Sequence, residues 1–390
     1  MSDTCDLCGN AALEQVYAPQ GSLRKLTVWL CTHCGLVQSL PRIDRAPRRQ
    51  ASVSADANWG NVRYGKGFRA EANLSTLKPF LPKRRSIRVL DVGASRGAFA
   101  LELTSAYPNA EIIGIEPDER VVSAWAGKPG FTWLHARLEE TRLEGDAFDL
   151  IYSCHTLEHV KSAREALRHH WEALKPHGHL LLEVPNLAMI GLNDIVEEFF
   201  IDKHLYHFSA HTLTRLLDAS GFRIVALADR RDAVNITIVA VKAEAGFAPV
   251  ESDVREVESA TALISSYHAA RLQNLTALTS VARMIDDMAP RRVAVWGAGR
   301  LLNSLIQNGG LKPSSLAAVV DKHLIRYAKD AHGIRLTAPT DLAGLKPDVV
   351  VVMSRSFVAE IREEAHVRVP GCEVIAYADL LARAKTPVAA

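Results

Sequence analysis

The feature that most constrains the fold is a glycine turn between an apolar segment and a helical pattern, at residues 87–103 (IRVLDVGASRGAFALEL). The apolar positions predict a short buried strand before the turn and a helix after it. A second apolar segment, AEIIGIEPDE, follows and contains Glu116, 25 residues after Asp91. A strand, a glycine turn, a helix, a second strand and an acidic residue, in this order, begin a doubly wound α/β sheet that binds a nucleoside at the carboxyl ends of its strands. We therefore predict this fold for the central part of the chain.

The spacing of the small residues in the turn indicates the kind of cofactor. A dinucleotide site would have the pattern Gly-x-Gly-x-x-Gly, whereas this turn has Gly93 and Gly97 with Ser95 between them. The pattern Asp-x-Gly-x-x-x-Gly resembles motif I of the class I S-adenosylmethionine-dependent methyltransferases, with Ser95 in place of that family's middle glycine. Two later segments, FDLIYSCHTLEHV (148–160) and LKPHGHLLLEVPN (174–186), resemble the fourth-strand and fifth-strand regions of the same family.

This resemblance implies S-adenosylmethionine as the cofactor and assigns residues to it. Asp91, Gly93 and Gly97 would line the methionine moiety with Ser95 in the same turn, Glu116 would hold the ribose, Leu138 and Glu139 would flank the adenine, and His155 would lie beside the cofactor. Glu158 and His159 stand near His155 in the sequence, and we expect His159 to be structural. Two interpretations of Tyr64, in the segment NWGNVRYGKGF (58–68), are open: an arm that closes over the methionine end of the cofactor, or a plain linker.

Four of the six cysteines form two Cys-x-x-Cys pairs near the N-terminus. The pairs are Cys5 with Cys8 and Cys31 with Cys34, and 22 residues separate them. Two such pairs can supply the four thiolates of a tetrahedral zinc site, and four cysteine ligands leave no open coordination position. We predict a structural Zn²⁺ ion that stabilises a small module. A pair of redox dithiols is the alternative.

The C-terminal part of the chain predicts a helical connector and a second α/β unit. Residues 251–288 contain no glycine or proline, so we expect one long helix or a hairpin of two. The segment RRVAVWGAGRLLNSLI follows, and a later strand ends at Asp321. Gly297 and Gly299 suit a dinucleotide site, but Leu302 stands where a third glycine would allow close packing of helix and strand.

The order of these parts resembles one family over nearly the whole chain, the sugar C-methyltransferases that act on nucleotide-linked keto-sugars. We divide the chain accordingly into a zinc-binding module (1–55), a methyltransferase domain (56–245), a helical connector (246–289) and a C-terminal Rossmann-like substrate-binding domain (290–390). In that family the last domain completes the substrate cleft. The family's tract near Tyr-Gly-Ala-x-x-Lys-Gly-Asn-Thr corresponds here to WGAGRLLNS, with Leu301 and Leu302 in place of Lys-Gly.

The segment EFFIDKHLYHFS (198–209) carries the predicted catalytic residues. Methylation of a carbon beside a ketone needs a base that removes the α-proton, and histidine suits this role because its pKa lies near neutrality. In the sugar family this segment reads approximately Tyr-His-Glu-His-Leu-Ser-Tyr-Phe-Ser, and the resemblance implies that His204 is the base. Tyr206 and His207 are further catalytic candidates. The alternative is a polar turn before a helix that Ser209 caps.

Length and charge are consistent with this interpretation. A chain of 390 residues predicts two or three domains of about 150 residues each. A formal charge of +2 gives no reason to expect a nucleic-acid partner, and no apolar stretch approaches the roughly 20 residues that span a bilayer. We expect a cytoplasmic protein with no membrane partner and a small-molecule substrate, a nucleotide-sugar.

The sequence leaves three functions open. The first is S-adenosylmethionine-dependent methylation of a nucleotide-linked keto-sugar at carbon. The second, O- or N-methylation of a sugar or small metabolite, uses the same cofactor site. The third is an NAD(P)- or nucleotide-sugar-binding protein that acts through its C-terminal domain.

Overall fold

The computed structural model describes residues 4–20, 22–42, 66–82, 86–123, 125–228, 234–243, 249–322, 324–326, 329–355 and 357–386. These residues fall into two compact units. The first unit takes in the described residues up to 42, from 66 to 190 and from 199 to 265. The second takes in 191–198 and the described residues from 266 onward.

The first unit contains eleven strands and five complete helices among the described residues. The strands are β1 (Leu13–Tyr17), β2 (Thr27–Cys31), β3 (Val37–Leu40), β4 (Arg88–Val92), β5 (Glu111–Glu116), β6 (Phe131–His135), β7 (Phe148–Cys154), β8 (Leu174–Pro185), β9 (Tyr206–His207), β10 (Phe222–Leu227) and β11 (Asn235–Lys242). The helices are α1 (Lys66–Leu77), α2 (Ala98–Ala106), α3 (Glu119–Ser123), α4 (Ala163–Ala173) and α5 (Ala210–Ala219). Short 3₁₀ helices lie at Leu138–Glu140, Leu157–His159 and Leu187–Gly191.

Seven strands form the central sheet of the first unit, in the order β10-β11-β8-β7-β4-β5-β6. β4 pairs in parallel with β5 and β7, and β11 is antiparallel to both of its neighbours. Alternate residues of β4 enter different cores: Val89 packs in one cluster with residues of α1 and α2, and Leu90 packs in another with residues of α4 and α5. A parallel strand that is buried on both faces reads as a continuous apolar run. The predicted α/β sheet is confirmed.

The N-terminal residues form a second, antiparallel sheet with a strand from much later in the chain. Its order is β1-β2-β3-β9. β9 lies antiparallel to β3, and next to it the amide of Ser39 donates a hydrogen bond to the carbonyl of Leu205 at 2.9 Å. Leu36 lies in the same buried cluster as Leu90 of the central sheet. The cysteine-bearing segment and residues 205–208 therefore share a core with the central sheet.

The second unit contains a six-stranded sheet in the order β14-β15-β13-β12-β16-β17. Its strands are β12 (Val293–Trp296), β13 (Leu316–Val320), β14 (Asp330–Ala331), β15 (Ile334–Thr337), β16 (Val349–Val352) and β17 (Glu373–Ala376). Its pairings are parallel except that of β14 with β15. In the sequence, the helix α6 (Val254–Asp286) follows β11 and precedes β12. The later helices are α7 (Arg300–Gln307), α8 (Leu342–Leu345), α9 (Val358–Arg368) and α10 (Tyr377–Lys385). A second α/β arrangement is thus present, as expected from the sequence.

Two details concern the segments outside the sheets. The predicted connector is a single helix of 33 residues, not a hairpin. Residues 191–198 belong to the second unit. Arg355 forms ion pairs there with Asp194 at 2.8 Å and with Glu197 at 2.9 Å.

Among the described residues, no helix has the length and apolar character needed to cross a membrane.

The carboxylate of Asp6 should contribute measurably to the stability of the first unit. It accepts hydrogen bonds from the hydroxyl of Ser162 at 2.8 Å and from the amide of Arg164 at 3.0 Å, at the start of α4. Asp6→Ala leaves this amide without its acceptor, which costs about 1–3 kcal/mol. We expect a lower midpoint of urea unfolding, monitored by circular dichroism. The exposed Glu14→Ala on β1 is the matched control, and an Asp6→Ala midpoint equal to that of the control contradicts this role.

Candidate active site

The glycine turn after β4 is packed too tightly for side chains at its two glycines. The amides of Gly93 and Ala94 both donate to the carbonyl of Ile115, at 2.9 and 3.1 Å. A Cβ atom on Gly93 would collide with the hydroxyl of Thr156, and one on Gly97 would collide with the indole of Trp125. Both glycines also have positive φ angles, 74° and 70°. The turn is therefore a backbone-lined cradle of the kind that lets a ligand approach closely.

Ser95 occupies the middle of this turn in a left-handed conformation, with φ of 46°. A non-glycine residue in this region costs about 1–2 kcal/mol of strain. Its amide donates to the carboxylate of Glu116 at 2.8 Å, and the other oxygen of Glu116 accepts from the amide of Asp118 at 2.9 Å. The predicted ribose-binding acid thus also holds the turn in place.

The remaining predicted cofactor residues lie at the same edge of the sheet or beyond the described residues. Asp91 is 2% exposed, and burial together with the nearby Glu116 raises its pKa to about 8. Leu138 is buried in the 3₁₀ helix after β6, and Glu139 accepts a hydrogen bond from the amide of Lys161 at 3.1 Å. Tyr64 lies outside the residues that the structure describes.

Titratable side chains gather next to the turn, at the carboxyl ends of β7 and β8. We call this group the strand-end cluster: Cys154, His155, Glu158, His159, Glu183 and His204. His155 follows β7 with φ of 52°, and its two ring nitrogens lie 3.2 Å from a carboxylate oxygen of Glu158 and 3.6 Å from one of Glu183. Burial by itself would lower the pKa of His155, but its contacts with these two carboxylates outweigh burial and raise it.

Glu183 is a fully buried carboxylate with several polar partners. Arg69 forms an ion pair with it at 3.0 Å, and the hydroxyl of Thr237 donates to it at 2.8 Å. The thiol of Cys154 donates at 3.3 Å. Its charge is therefore compensated inside the first unit.

Glu158 is also fully buried, but neither of its carboxylate oxygens has a hydrogen-bond partner among the described residues. Burial would raise its pKa, yet the neighbouring imidazoles of His159, His155 and His204 lower it to about 2. The ring nitrogen Nε2 of His159 lies 3.7 Å from the carboxylate. The ring centroids of His159 and His204 are 4.8 Å apart. Burial and then the charge of His159 hold the pKa of His204 well below its usual value.

The other two predicted catalytic residues lie in β9, and each uses one polar side-chain atom for a contact outside the strand-end cluster. The hydroxyl of Tyr206 donates to the carbonyl of Lys161 at 2.6 Å. Nε2 of His207 lies 2.8 Å from the hydroxyl of Ser39, and burial lowers the pKa of His207 to about 3. Of the three predicted catalytic side chains, the structure therefore brings only His204 into the strand-end cluster.

The four N-terminal cysteines come together as their spacing predicts. Their sulfur atoms all lie within 4.8 Å of one another, with Cys5 and Cys34 3.5 Å apart and Cys8 and Cys31 3.6 Å apart. All four are free thiols. Sulfurs at about 2.3 Å from a tetrahedral zinc ion are roughly 3.8 Å apart. The observed separations therefore fit such an ion without large movements.

Sequence reasoning missed two members of the site, Arg69 and Glu183, and it treated His159 as structural. A signal for Glu183 was available, because it is the one charged residue in the apolar run LLLEVP of the fifth-strand region. A charge within a strand that is buried on both faces is rare unless it is paired. Arg69 gave no signal of this kind, since its helix precedes the sheet in the chain.

Comparison with known proteins agrees with the central sheet and its turn. The family model described as "Methyltransferase domain" matches residues 66–227, and one described as "C2185-like, N-terminal" matches residues 289–373. A tRNA U34 carboxymethyltransferase of Syntrophotalea carbinolica is 30% identical over 157 residues, which is 39% of this chain and 45% of the relative. A trans-aconitate 2-methyltransferase of Deinococcus radiodurans is 29% identical over 112 residues, which is 28% of this chain and 42% of the relative.

Among solved structures, an S-adenosylmethionine-dependent methyltransferase from Mesorhizobium loti matches with a TM-score of 0.36 and 21% identity, over 44% of this chain and 97% of the other. This chain spans less than half the length of the two curated relatives. The match of residues 66–227 to methyltransferase domains supports the predicted class of enzyme and, with it, S-adenosylmethionine as the cofactor. Neither relative is named as a sugar methyltransferase, so that finer resemblance stays a prediction.

Binding of S-adenosylhomocysteine should release a proton from Asp91. Its raised pKa, about 8, means that the free protein holds this proton at pH 7. The ammonium group of the ligand favours the ionised carboxylate and lowers the pKa. Calorimetric titrations at pH 7, in buffers with different ionisation enthalpies, count the released proton. The release should disappear at about pH 9 and above, where the group is already ionised, and in Asp91→Asn. Binding without proton release at pH 7 contradicts this assignment.

Proposed function

We propose that this chain, in which residues 66–227 form a methyltransferase domain, transfers the methyl group of S-adenosylmethionine to a small hydroxylated acceptor. One observation carries this proposal: a buried carboxylate, Glu158, is surrounded by three imidazoles directly beside the glycine turn. Thr156 connects the glycine turn with the strand-end cluster. Its hydroxyl donates to the carbonyl of Val92 at 3.0 Å and lies against Gly93. The cradle for the cofactor and the polar cluster are therefore adjacent.

Methyl transfer from a sulfonium needs alignment, and it needs a base when the acceptor atom begins protonated. His155 is placed for the base, because its Nδ1 lies 3.2 Å from the carboxylate of Glu158 and its Nε2 has no hydrogen-bond partner among the described residues. A carboxylate beside one ring nitrogen orients the ring and stabilises the imidazolium that forms when the ring takes a proton. We therefore propose His155 as the group that accepts the hydroxyl proton.

Carbon methylation of a nucleotide-linked keto-sugar, with His204 as base, is the second candidate. It is supported by the position of His204 beside Glu158 and His159. The two residues before His204, however, form structural hydrogen bonds. Asp202 accepts hydrogen bonds from the hydroxyl of Ser22 and the amide of Arg24, and the carbonyl of Lys203 lies 2.7 Å from Nδ1 of His159. The helper positions of the sugar family are thus used for structure here, and we favour an oxygen acceptor.

Action through the C-terminal domain is less well supported. In the second unit, the carboxylate of Asp321 accepts hydrogen bonds from the amide of Ala298 at 3.1 Å and from that of Leu324 at 2.8 Å. Asp321 thus holds its turn as Glu116 does, but the fully buried Leu302 stands where a dinucleotide turn would have its third glycine. Strong binding of NAD(P)H with no binding of S-adenosylhomocysteine would establish that third function instead.

Methyl transfer should depend on His155 and Glu158 without a matching loss of cofactor binding. We expect His155→Gln and Glu158→Gln to lower kcat by about 100-fold or more, since a positioned base contributes 10²–10⁴-fold. The assay uses the full chain, ¹³C-methyl cofactor and a panel of free and nucleotide-linked sugars and hydroxy acids. The chemical shift of the transferred carbon distinguishes an oxygen from a carbon acceptor. His177→Gln is the control, because His177 is exposed near the opposite end of β8.

Three results would contradict parts of this proposal. Transfer to tRNA and to no small acceptor would overturn the acceptor class. A C-methyl product, with deuterium exchange at the α-carbon of a keto-sugar that His204→Ala abolishes, would establish the second candidate. Wild-type kcat in His155→Gln would remove this residue from catalysis.

We propose further that Cys5, Cys8, Cys31 and Cys34 hold a structural zinc ion. The separations between their sulfurs support this, and four thiolates leave the ion no open position for chemistry. Since Cys31 ends β2 and Cys34 precedes β3, the ion would stabilise the turn that joins these two strands.

Loss of this metal should lower both stability and methyl transfer. β3 carries β9 at its other edge, and His204 lies two residues before β9, so disorder of β3 would displace this histidine. By elemental analysis, we expect Cys8→Ser to contain one zinc ion per chain fewer than the wild type, and we expect its melting temperature to be lower. Cys372→Ser is the control and should keep its zinc. A stable, metal-free Cys8→Ser protein with full activity contradicts the zinc site.

A further inference from the structure

We infer that Glu158, His159 and His204 form a second metal site, which takes one divalent transition-metal ion. One ligand atom from each of these residues lies within 4.8 Å of the other two. Ligands at about 2.1 Å from one ion are roughly 3–4 Å apart, so a contraction of about an ångström closes the site. The proposed effect of the ion on the acceptor rests on the methyl transfer proposed above. Binding of the ion to the protein does not depend on that function.

The surrounding hydrogen bonds hold these ligands as metal-binding residues are usually held. Nδ1 of His159 lies 2.7 Å from the carbonyl of Lys203. A neutral imidazole that donates from Nδ1 carries its lone pair on Nε2, the nitrogen that faces Glu158. The amide of Leu205 donates to the carbonyl of Glu158 at 2.7 Å. These two bonds keep the loop that carries His204 against the 3₁₀ helix that carries the other two ligands.

The surroundings of Glu158 independently indicate that a cation binds here. It is fully buried, and neither of its oxygens has a hydrogen-bond partner in the part of the chain that the structure describes. Ring nitrogens of His155 and His159 lie 3.2 and 3.7 Å from Oε1. Burial of a carboxylate whose oxygens accept no hydrogen bond is unfavourable. A dication bound to this carboxylate would offset that cost.

The neighbouring set of Cys154, His155 and Glu183 has similar spacing. Its carboxylate, however, already has polar partners. Arg69 and Thr237 already contact the carboxylate of Glu183. An ion placed there would have to compete with the guanidinium of Arg69. We therefore assign the ion to Glu158 and not to Glu183.

The ligand set indicates which metals fit. Two imidazole nitrogens and one carboxylate oxygen suit Mn²⁺, Fe²⁺, Co²⁺, Ni²⁺ or Zn²⁺, and three protein ligands leave positions open for a substrate. A hydroxyl oxygen of the acceptor in an open position would become more acidic. That oxygen then gives its proton to His155 and forms a bond to the methyl carbon. The carbon–sulfur bond breaks, and its electron pair stays on sulfur to give S-adenosylhomocysteine.

The test is Mn²⁺ binding to the full chain, followed by electron paramagnetic resonance, because Mn²⁺ prefers oxygen and nitrogen ligands to a four-thiolate site. We expect one saturable Mn²⁺ ion per chain, with imidazole nitrogen couplings in spin-echo spectra. Glu158→Gln and His204→Ala should each raise the Kd for Mn²⁺ by about 100-fold or more, since even outer contacts of metal sites change affinity 10–100-fold. The exposed His177→Ala should bind Mn²⁺ as the wild type does.

Binding of S-adenosylhomocysteine to the same variants shows that each is folded. If either variant is not folded, His159→Gln replaces it in the Mn²⁺ measurement. The absence of saturable Mn²⁺ binding in the wild type overturns the inference, and so does unchanged binding in Glu158→Gln. The two proposals fail separately. A wild type that binds S-adenosylhomocysteine but no Mn²⁺ removes only the metal site, whereas a wild type that binds no S-adenosylhomocysteine removes the proposed function.

Discussion

The backbone of Leu205 is the connection on which the arrangement of the candidate site depends. Its carbonyl accepts a hydrogen bond from Ser39, at the edge of the cysteine-bearing sheet, and its amide donates to the carbonyl of Glu158. One residue is therefore tied on one side to the N-terminal strands and on the other to the strand ends of the central sheet. His204 directly precedes it. The position of this histidine thus depends on the four-cysteine module as well as on the methyltransferase domain.

Two buried carboxylates at the same edge of the sheet show how different surroundings give similar groups different chemistry. Glu183 is compensated by a guanidinium, a hydroxyl and a thiol, and it holds β8, β11 and α1 together. Glu158 is surrounded by imidazoles and has no hydrogen bond to its carboxylate among the described residues. A carboxylate that is fully compensated stabilises a fold, whereas one whose oxygens accept no hydrogen bond is available to a cation or a substrate.

Local patterns accounted for most of the fold and for part of the site. The glycine turn of residues 93–97, the alternation of apolar strands and helices, and the two cysteine pairs are each visible as short sequence patterns. Such patterns can be read without a structure. The pairing of β9 with β3 could not be read from the sequence, because it joins residues about 170 positions apart and β9 has only two residues. Its consequence is the engagement of Tyr206 and His207, which the sequence offered as catalytic candidates.

The sequence by itself determined that this chain folds as α/β units, carries a methyltransferase-type glycine turn and brings four thiols within reach of one ion. Only the tertiary structure decided that Glu158, His159 and His204 meet, that Glu183 is neutralised by Arg69, and that His207 points its polar atom at Ser39. The physical reason is that backbone propensity and apolar periodicity act over a few residues. Charge compensation and burial instead depend on which distant segments share one low-dielectric core, and only the folded chain sets that.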